Sequence, residues 1–175
     1  LVSGPGIVTA ASFVGDGKGL TNVTATGADP INAQGNIGVG STARFITAPT
    51  YNVGIGSTST GNPNVSTPTK LNNTAIGQNA LALNTTAGDN TAVGKNALNV
   101  NTTGAYNTAV GASALDACTD GAKNCALGYD ALSDLTGGDG NCAVGENCLA
   151  DVTTGSNNQG MGMDAGRKLT TGQYN

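Results

Sequence analysis

The sequence contains no histidine and no tryptophan, and it has only two phenylalanines and four tyrosines. Without histidine, neither a Ser-His nor a Cys-His catalytic dyad can form. Paired carboxylates of the kind that glycosidases use do occur, for example Asp130 and Asp134. The aromatic platforms that would hold a sugar ring beside them are scarce. The sequence therefore predicts no enzyme, and it predicts no catalytic, cofactor-binding or metal-binding residue.

Charge and long apolar runs are also in short supply. Only 10% of the residues are charged, the net charge is −4, and no strong basic patch occurs, so nucleic acid and anionic membranes are poor partners. Eight of the eleven carboxylates lie between Asp116 and Asp164, which we interpret as a solvated face. No apolar run approaches the roughly 18 residues of a membrane helix, and no signal peptide is recognisable. The chain opens on Leu1 and stops at Asn175, where a further copy of a repeated 17-residue unit would begin. We therefore expect a segment of a longer fibre.

A repeat of 17 residues fills the second part of the chain. The unit Asn-Thr-Ala-Val-Gly-x-x-Ala-Leu, closed by Thr-Thr-Gly, starts six times without a gap, at Asn73, Asn90, Asn107, Asn124, Asn141 and Asn158. Its first residue is always Asn, its fifth always Gly, its thirteenth always Thr, and its ninth is Leu in five of the six units. A fixed period of this kind indicates a stacked repeat architecture.

The residue types within the unit predict β-structure. The short Asn-Thr-Ala-Val run fits a brief strand, and the glycine after it provides a positive φ or room for close approach. The period is too short for helix-pair repeats, so we predict an all-β fold, a β-solenoid or β-roll of 17-residue coils with two or three short strands each. Coils stacked about 4.8 Å apart would place identical residues above one another.

The alternation within the strand leads to a prediction about assembly. Thr91 and Val93, at positions two and four, should face the inside of the coil, whereas Ala92 and Gly94 should face outward. Because β-propensity disfavours Ala and Gly, a stripe of these small residues suggests a closely approaching backbone, either a partner chain or the opposite wall of the coil. Because aromatic residues are scarce, the core of a single coil is thin, and a thin core favours a partner chain. We therefore expect the stripe to line the axis of a parallel oligomer.

The first part of the chain divides into two further segments. Residues 1–29 read as a strand and hairpin connector, with a strand at 6–14, a glycine-rich loop at 15–19 and a returning strand at 20–24. The loop lacks the Gly-Lys-Ser/Thr ending of a phosphate-binding loop. Residues 30–72 contain two degenerate coils, starting at Asn36 and Asn52, and a loop insertion with Pro63 and Pro68. Residues 73–175 are the six regular coils.

The four cysteines have an irregular spacing. Cys125 and Cys142 share the second position of adjacent units. Cys148 replaces the usual Ala of the eighth position, and Cys118 stands where Asn, Leu or Val occur in other units. Stacking would bring Cys125 and Cys142 near the Cα separation of a disulfide, although their parallel side chains make the bridge geometry awkward. A disulfide and a metal site were the alternatives to free structural thiols. Without histidine or a Cys-x-x-Cys pair, we predict four free thiols and no metal.

The repeat resembles a known group of proteins. The Asn-Thr-Ala-Val-Gly-x-x-Ala-Leu unit with Thr-Thr-Gly is similar to repeats of bacteriophage tail fibres, notably those of cyanophages. The segments 36–42 and 52–58 resemble the recurring Asn-Val-Gly-Ile-Gly-Thr-Thr element of those fibres, and residues 11–21 are similar to a segment common in phage structural proteins. The Ser-Val-Ala-Ile-Gly core of trimeric autotransporter adhesin heads matches more loosely.

The resemblance implies a parallel, intertwined homotrimer outside the cell, with a structural role in a virion tail fibre and in host attachment. Its partners would be two further copies of the chain, other virion proteins and a host surface receptor. The alternatives are the head of a bacterial trimeric autotransporter adhesin, on the bacterial cell surface, and a purely structural filament or decoration protein without a receptor. The resemblance implies no catalytic or ligand residue.

Overall fold

The computed structural model describes residues 37–39, 53–55 and 72–175. The connector that the sequence predicts at 1–29 and the proline-containing loop between Ile55 and Asn72 lie outside these residues. So do most residues of the two degenerate coils.

The described part of the chain contains eight strands of three residues each and no helix. All eight form one parallel sheet in chain order. The prediction of an all-β solenoid with 17-residue coils is confirmed. The strands are β1 (Ile37–Val39), β2 (Val53–Ile55), β3 (Thr74–Ile76), β4 (Thr91–Val93), β5 (Thr108–Val110), β6 (Cys125–Leu127), β7 (Cys142–Val144) and β8 (Gln159–Met161).

Each coil from 72 onward has a single strand, so the prediction of two or three strands per coil is wrong. Turns form the remainder, yet these turns also hydrogen bond from coil to coil. The amide of Leu81 donates to the carbonyl of Ala97 at 3.0 Å, and that of Thr102 donates to Thr119 at 2.8 Å. Coil stacking therefore satisfies the backbone of the turns as it satisfies the strands, which is why one coil alone would leave many polar groups unpaired.

The strands pair without any shift in the repeat. Ala92 of β4 lies opposite Ala109 of β5, and Val93 lies opposite Val110. The short strands of the degenerate units join the same ladder, since Gly54 of β2 pairs with Ala75 of β3. The sheet is therefore a stack in which equivalent positions of the repeat lie in register.

The interior of the coil is lined by small residues, and this corrects the predicted orientation of the strand. Ala75, Ala92 and Ala109 are 0% exposed within a single chain, whereas Thr91 and Val93 lie on the outer face and are half-buried. Opposite the alanines, the turn segment contributes a second Ala and the Leu of each unit, such as Ala97 and Leu98. The alanine stripe therefore lies inside the coil and lines no interface between chains. The alanines of the strand and the larger apolar residues of the turns therefore form one core inside the coil.

The first Asn of each unit closes the coil. The side-chain amide of Asn90 donates to the carbonyl of Gly104 at 3.0 Å, which joins the start of the coil to its end. Its side-chain oxygen accepts from the backbone amide of Asn107 at 2.8 Å, which joins the coil to the next one. The same pair of bonds recurs at Asn107 and Asn124. A buried Asn is stable here because both ends of its amide are satisfied.

The glycine after each strand allows two coils to approach closely. Gly94 has φ +137°, and a Cβ built on it would lie 2.3 Å from the carbonyl oxygen of Gly111. Neither the dihedral angle nor the space admits a side chain. The turns that follow use the left-handed region for other residue types too, with φ 60° at Asn96 and 50° at Leu98. Leu in this region is uncommon, and the pattern of residue types does not predict it.

Candidate functional site: the outer face of the strand ladder

The outer face of the sheet carries two parallel rows of side chains. Because side chains alternate across a strand, burying the central Ala turns the residues on either side of it outward. The apolar row contains Ile55, Ile76, Val93, Val110, Leu127, Val144 and Met161. The second row contains Val53, Thr74, Thr91, Thr108, Cys125, Cys142 and Gln159. We call these rows together the ladder face.

The ladder face is more apolar and more exposed than a solvated sheet surface requires. Ile55, Ile76 and Val110 are 39%, 36% and 38% exposed, and Met161 is 81% exposed. No charged residue occurs in either row over β2–β8. Contiguous exposed apolar surface of this kind marks an interaction site in soluble proteins. At about 4.8 Å per strand, the eight strands make a flat ladder roughly 34 Å long.

A second feature is an acidic group on the turn segments. Asp130 and Asp134 lie near Asp116, and burial together with their charges raises the pKa of Asp116. Tyr129 lies beside them, and its hydrogen bond with Asp130 raises the pKa of its phenol. In the part of the chain that the structure describes, no group of three or more acidic, Cys or His residues is arranged to hold a metal ion. The carboxylates Asp130 and Asp134, which the sequence offered as an example of an acidic pair, thus lie near Asp116.

The four cysteines lie in two environments, and all four are free thiols. Cys118 and Cys148 are 0% exposed in the core, and burial raises the pKa of Cys118 to about 12. Cys125 and Cys142 are half-buried on the ladder face, directly opposite each other in β6 and β7. Burial and the adjacent Cys142 thiol raise the pKa of Cys125 above its ordinary value.

The sequence interpretation missed the ladder face because it assigned the larger apolar residue of the strand to the core. A signal was nevertheless present. The third and eighth positions of the unit are Ala in nearly every copy, and only a position with no spare volume needs a residue so uniformly small. The apolar fourth position varies among Ile, Val, Leu and Met, as a surface with looser packing allows.

Over the described residues, the structure has no apolar helix of membrane-spanning length. Comparisons with protein-family models, with curated proteins and with solved structures each give no match. The function therefore has to be inferred from the residues of this chain and from the geometry of its coils.

Proposed function

We propose that this chain is a structural segment of a bacteriophage tail fibre, with a role in host attachment, and that it acts as a parallel homotrimer. The observation that carries the proposal is the ladder face, an uncharged and partly exposed apolar surface that runs along the stack from β2 to β8. The tail-fibre assignment itself is supported by the resemblance of the repeat unit and of segments 36–42 and 52–58.

The periodicity of the ladder face supports another copy of the same chain as its partner. An apolar residue projects from this face once per coil, about every 4.8 Å. A partner that packs one side chain between each pair of neighbouring strands must repeat its own side chains at the same spacing over the same length. A second copy in parallel orientation meets that requirement without any further adjustment. The number three is supported by the resemblance to trimeric fibres.

The rigidity of the coil supports a structural role. Each coil is joined to its neighbours by strand pairing, by bonds between turns and by the Asn side chains, so bending the rod would break several hydrogen bonds at once. A thin rod of this kind holds a binding tip at a distance from its base. Its stability then increases with every interface between coils.

Assembly is tested by placing charges on the ladder face. We expect sedimentation equilibrium of the chain to give about three times its 17.0 kDa mass. The double variant Val110→Asp, Val144→Asp should be monomeric, because a trimer would have to bury its carboxylates without partners. The matched control is Thr103→Asp, Thr154→Asp, at exposed turn positions where Asp120 occurs in another coil. This control should remain a trimer.

Two results would contradict the assembly proposal. One is a monomeric wild-type chain at all concentrations, and the other is a double ladder-face variant that stays trimeric. Substitution of Ala92 by Glu gives no test of assembly, because this alanine lies inside the coil and the variant would fail to fold.

The tail-fibre assignment is tested separately by immuno-electron microscopy of native samples that contain the protein. Antibodies against the chain should label fibres on virus particles. Labelling of the bacterial cell surface would contradict the assignment and favour an adhesin head. Labelling of a filament or capsid surface that binds no cells would favour a structural filament or decoration protein.

A further inference from the structure

Two adjacent strands depart together from the threonine row of the ladder face. Thr74, Thr91 and Thr108 fill this row in β3–β5, and Cys125 and Cys142 replace threonine in β6 and β7. The two cysteines are paired in register, and both are free and half-buried. They are therefore a pair of adjacent, half-buried thiols on the ladder face of each chain, unlike Cys118 and Cys148 in the core.

The spacing of this pair fits a bridging ion better than a disulfide. Neighbouring residues in register are about 4.8 Å apart, and their side chains project in the same direction. A disulfide requires a Cβ separation of about 3.8 Å, which is shorter than the ladder provides. In zinc sites a metal–thiolate bond is about 2.3 Å long, and two bonds of that length placed in line would span about 4.6 Å, close to the ladder spacing.

We propose that Cys125 and Cys142 form a two-thiolate binding site for a soft, linearly coordinated d¹⁰ cation, represented by Cu⁺. Thiolate ligands select Cu⁺ over the harder divalent ions. One ion replaces both thiol protons, so that Cu⁺ and two thiols give a bis-thiolate complex of charge −1 and two protons. No atom changes its oxidation state. Tetrahedral zinc is disfavoured, because it requires four ligands and no group of three candidate ligands occurs within the described residues. This revises the sequence-based expectation that the thiols bind no metal.

The repeat itself provides substitutions that restore the residue of other coils. Cys125→Thr and Cys142→Thr each return the row to threonine, as in Thr108. Cys148→Ala is the matched control, because Ala131 occupies the equivalent buried position in the preceding coil. All three variants should keep the fold, which far-UV circular dichroism checks.

The experiment is an anaerobic titration of the reduced chain with the acetonitrile complex of Cu⁺, with bathocuproine disulfonate as the competing chelator. The wild type and Cys148→Ala should each bind one equivalent of Cu⁺ per chain, with a thiolate-to-copper absorption band. Each threonine variant should lose the stoichiometric binding and the band. The proposal fails if the wild type binds no ion against the chelator, if the double threonine variant still binds one equivalent, or if Cys148→Ala removes binding.

Discussion

Replacing Asn90 and Asn101 separately by valine should change the free energy of unfolding in opposite directions. Both side chains are buried in the same coil, at 1% and 0% exposure. Both amides donate to the same carbonyl oxygen, that of Gly104, at 3.0 and 2.9 Å. They differ at the other end of the amide. The side-chain oxygen of Asn90 accepts from the backbone of Asn107, whereas the oxygen of Asn101 is buried without a hydrogen-bond partner.

Asn90→Val should be strongly destabilising. It leaves the buried amide of Asn107 unpaired, which costs about 1–3 kcal/mol, and it also removes a hydrogen bond worth about 1 kcal/mol. The carbonyl of Gly104 keeps its bond from Asn101. We therefore expect the free energy of unfolding to fall by about 2–4 kcal/mol.

Asn101→Val should be neutral to stabilising. The substitution removes the unpaired oxygen, and the carbonyl of Gly104 keeps its bond from Asn90. The position accepts an apolar side chain, because Val152 occupies it in a later coil at 0% exposure. Removing a buried unpaired oxygen while losing one satisfied bond should raise the free energy of unfolding by up to about 2 kcal/mol.

The assay is equilibrium urea unfolding followed by far-UV circular dichroism, since the chain has no tryptophan to report by fluorescence. The urea dependence of the unfolding free energy should be the same in both variants, so that the midpoints can be compared directly. Asn99→Ala is the control for loss of an Asn side chain in this coil, since Ala82 and Ala150 occupy its position elsewhere. Equal destabilisation by Asn90→Val and Asn101→Val would refute the assignment of the coil-closing role to the first Asn.

Four further predictions concern the close glycine, the acidic group and the thiols. Gly94→Ala should lower the free energy of unfolding by more than about 3 kcal/mol, because its Cβ would overlap a backbone carbonyl of the next coil. The control Gly88→Ala should be tolerated. Thermal melts that show the same loss of stability for both variants would contradict this prediction. Because the pKa of Asp116 is raised in the folded protein, ionising its carboxyl destabilises the folded state relative to the unfolded chain. This destabilisation is absent below the unfolded pKa of about 3.9 and develops as pH rises through the folded pKa. Asp116→Asn should therefore raise the melting temperature at pH 7 and leave it unchanged near pH 3; an equal increase at both values would exclude an electrostatic origin. In the monomeric Val110→Asp, Val144→Asp variant at pH 8, in which the ladder face is uncovered, iodoacetamide should label Cys125 well before Cys118, whose pKa is about 12. Peptide mapping by mass spectrometry that finds the reverse order would overturn the assigned environments. Denatured, unreduced protein should show four free thiols.

The 17-residue period, the β-solenoid class and the in-register stacking follow from the sequence. A residue type that recurs at a fixed interval must occupy the same place in successive coils. The stacking of Ala92 on Ala109 was therefore predictable from the period. The close approach at Gly94 was also predictable, because only glycine permits both its φ and the distance to the next backbone.

Which face of the strand is buried was decided by the tertiary structure. Alternation states only that Val93 and Ala92 point in opposite directions, and it gives no preference between the two choices. The choice depends on what lies across the coil, and there Leu98 enters from a turn with a positive φ and fills the space that Val93 would need. The same packing turns the apolar row outward and places Cys125 beside Cys142 on the surface. The sequence determined the repeat, while the volume of a narrow interior determined the face available to a partner.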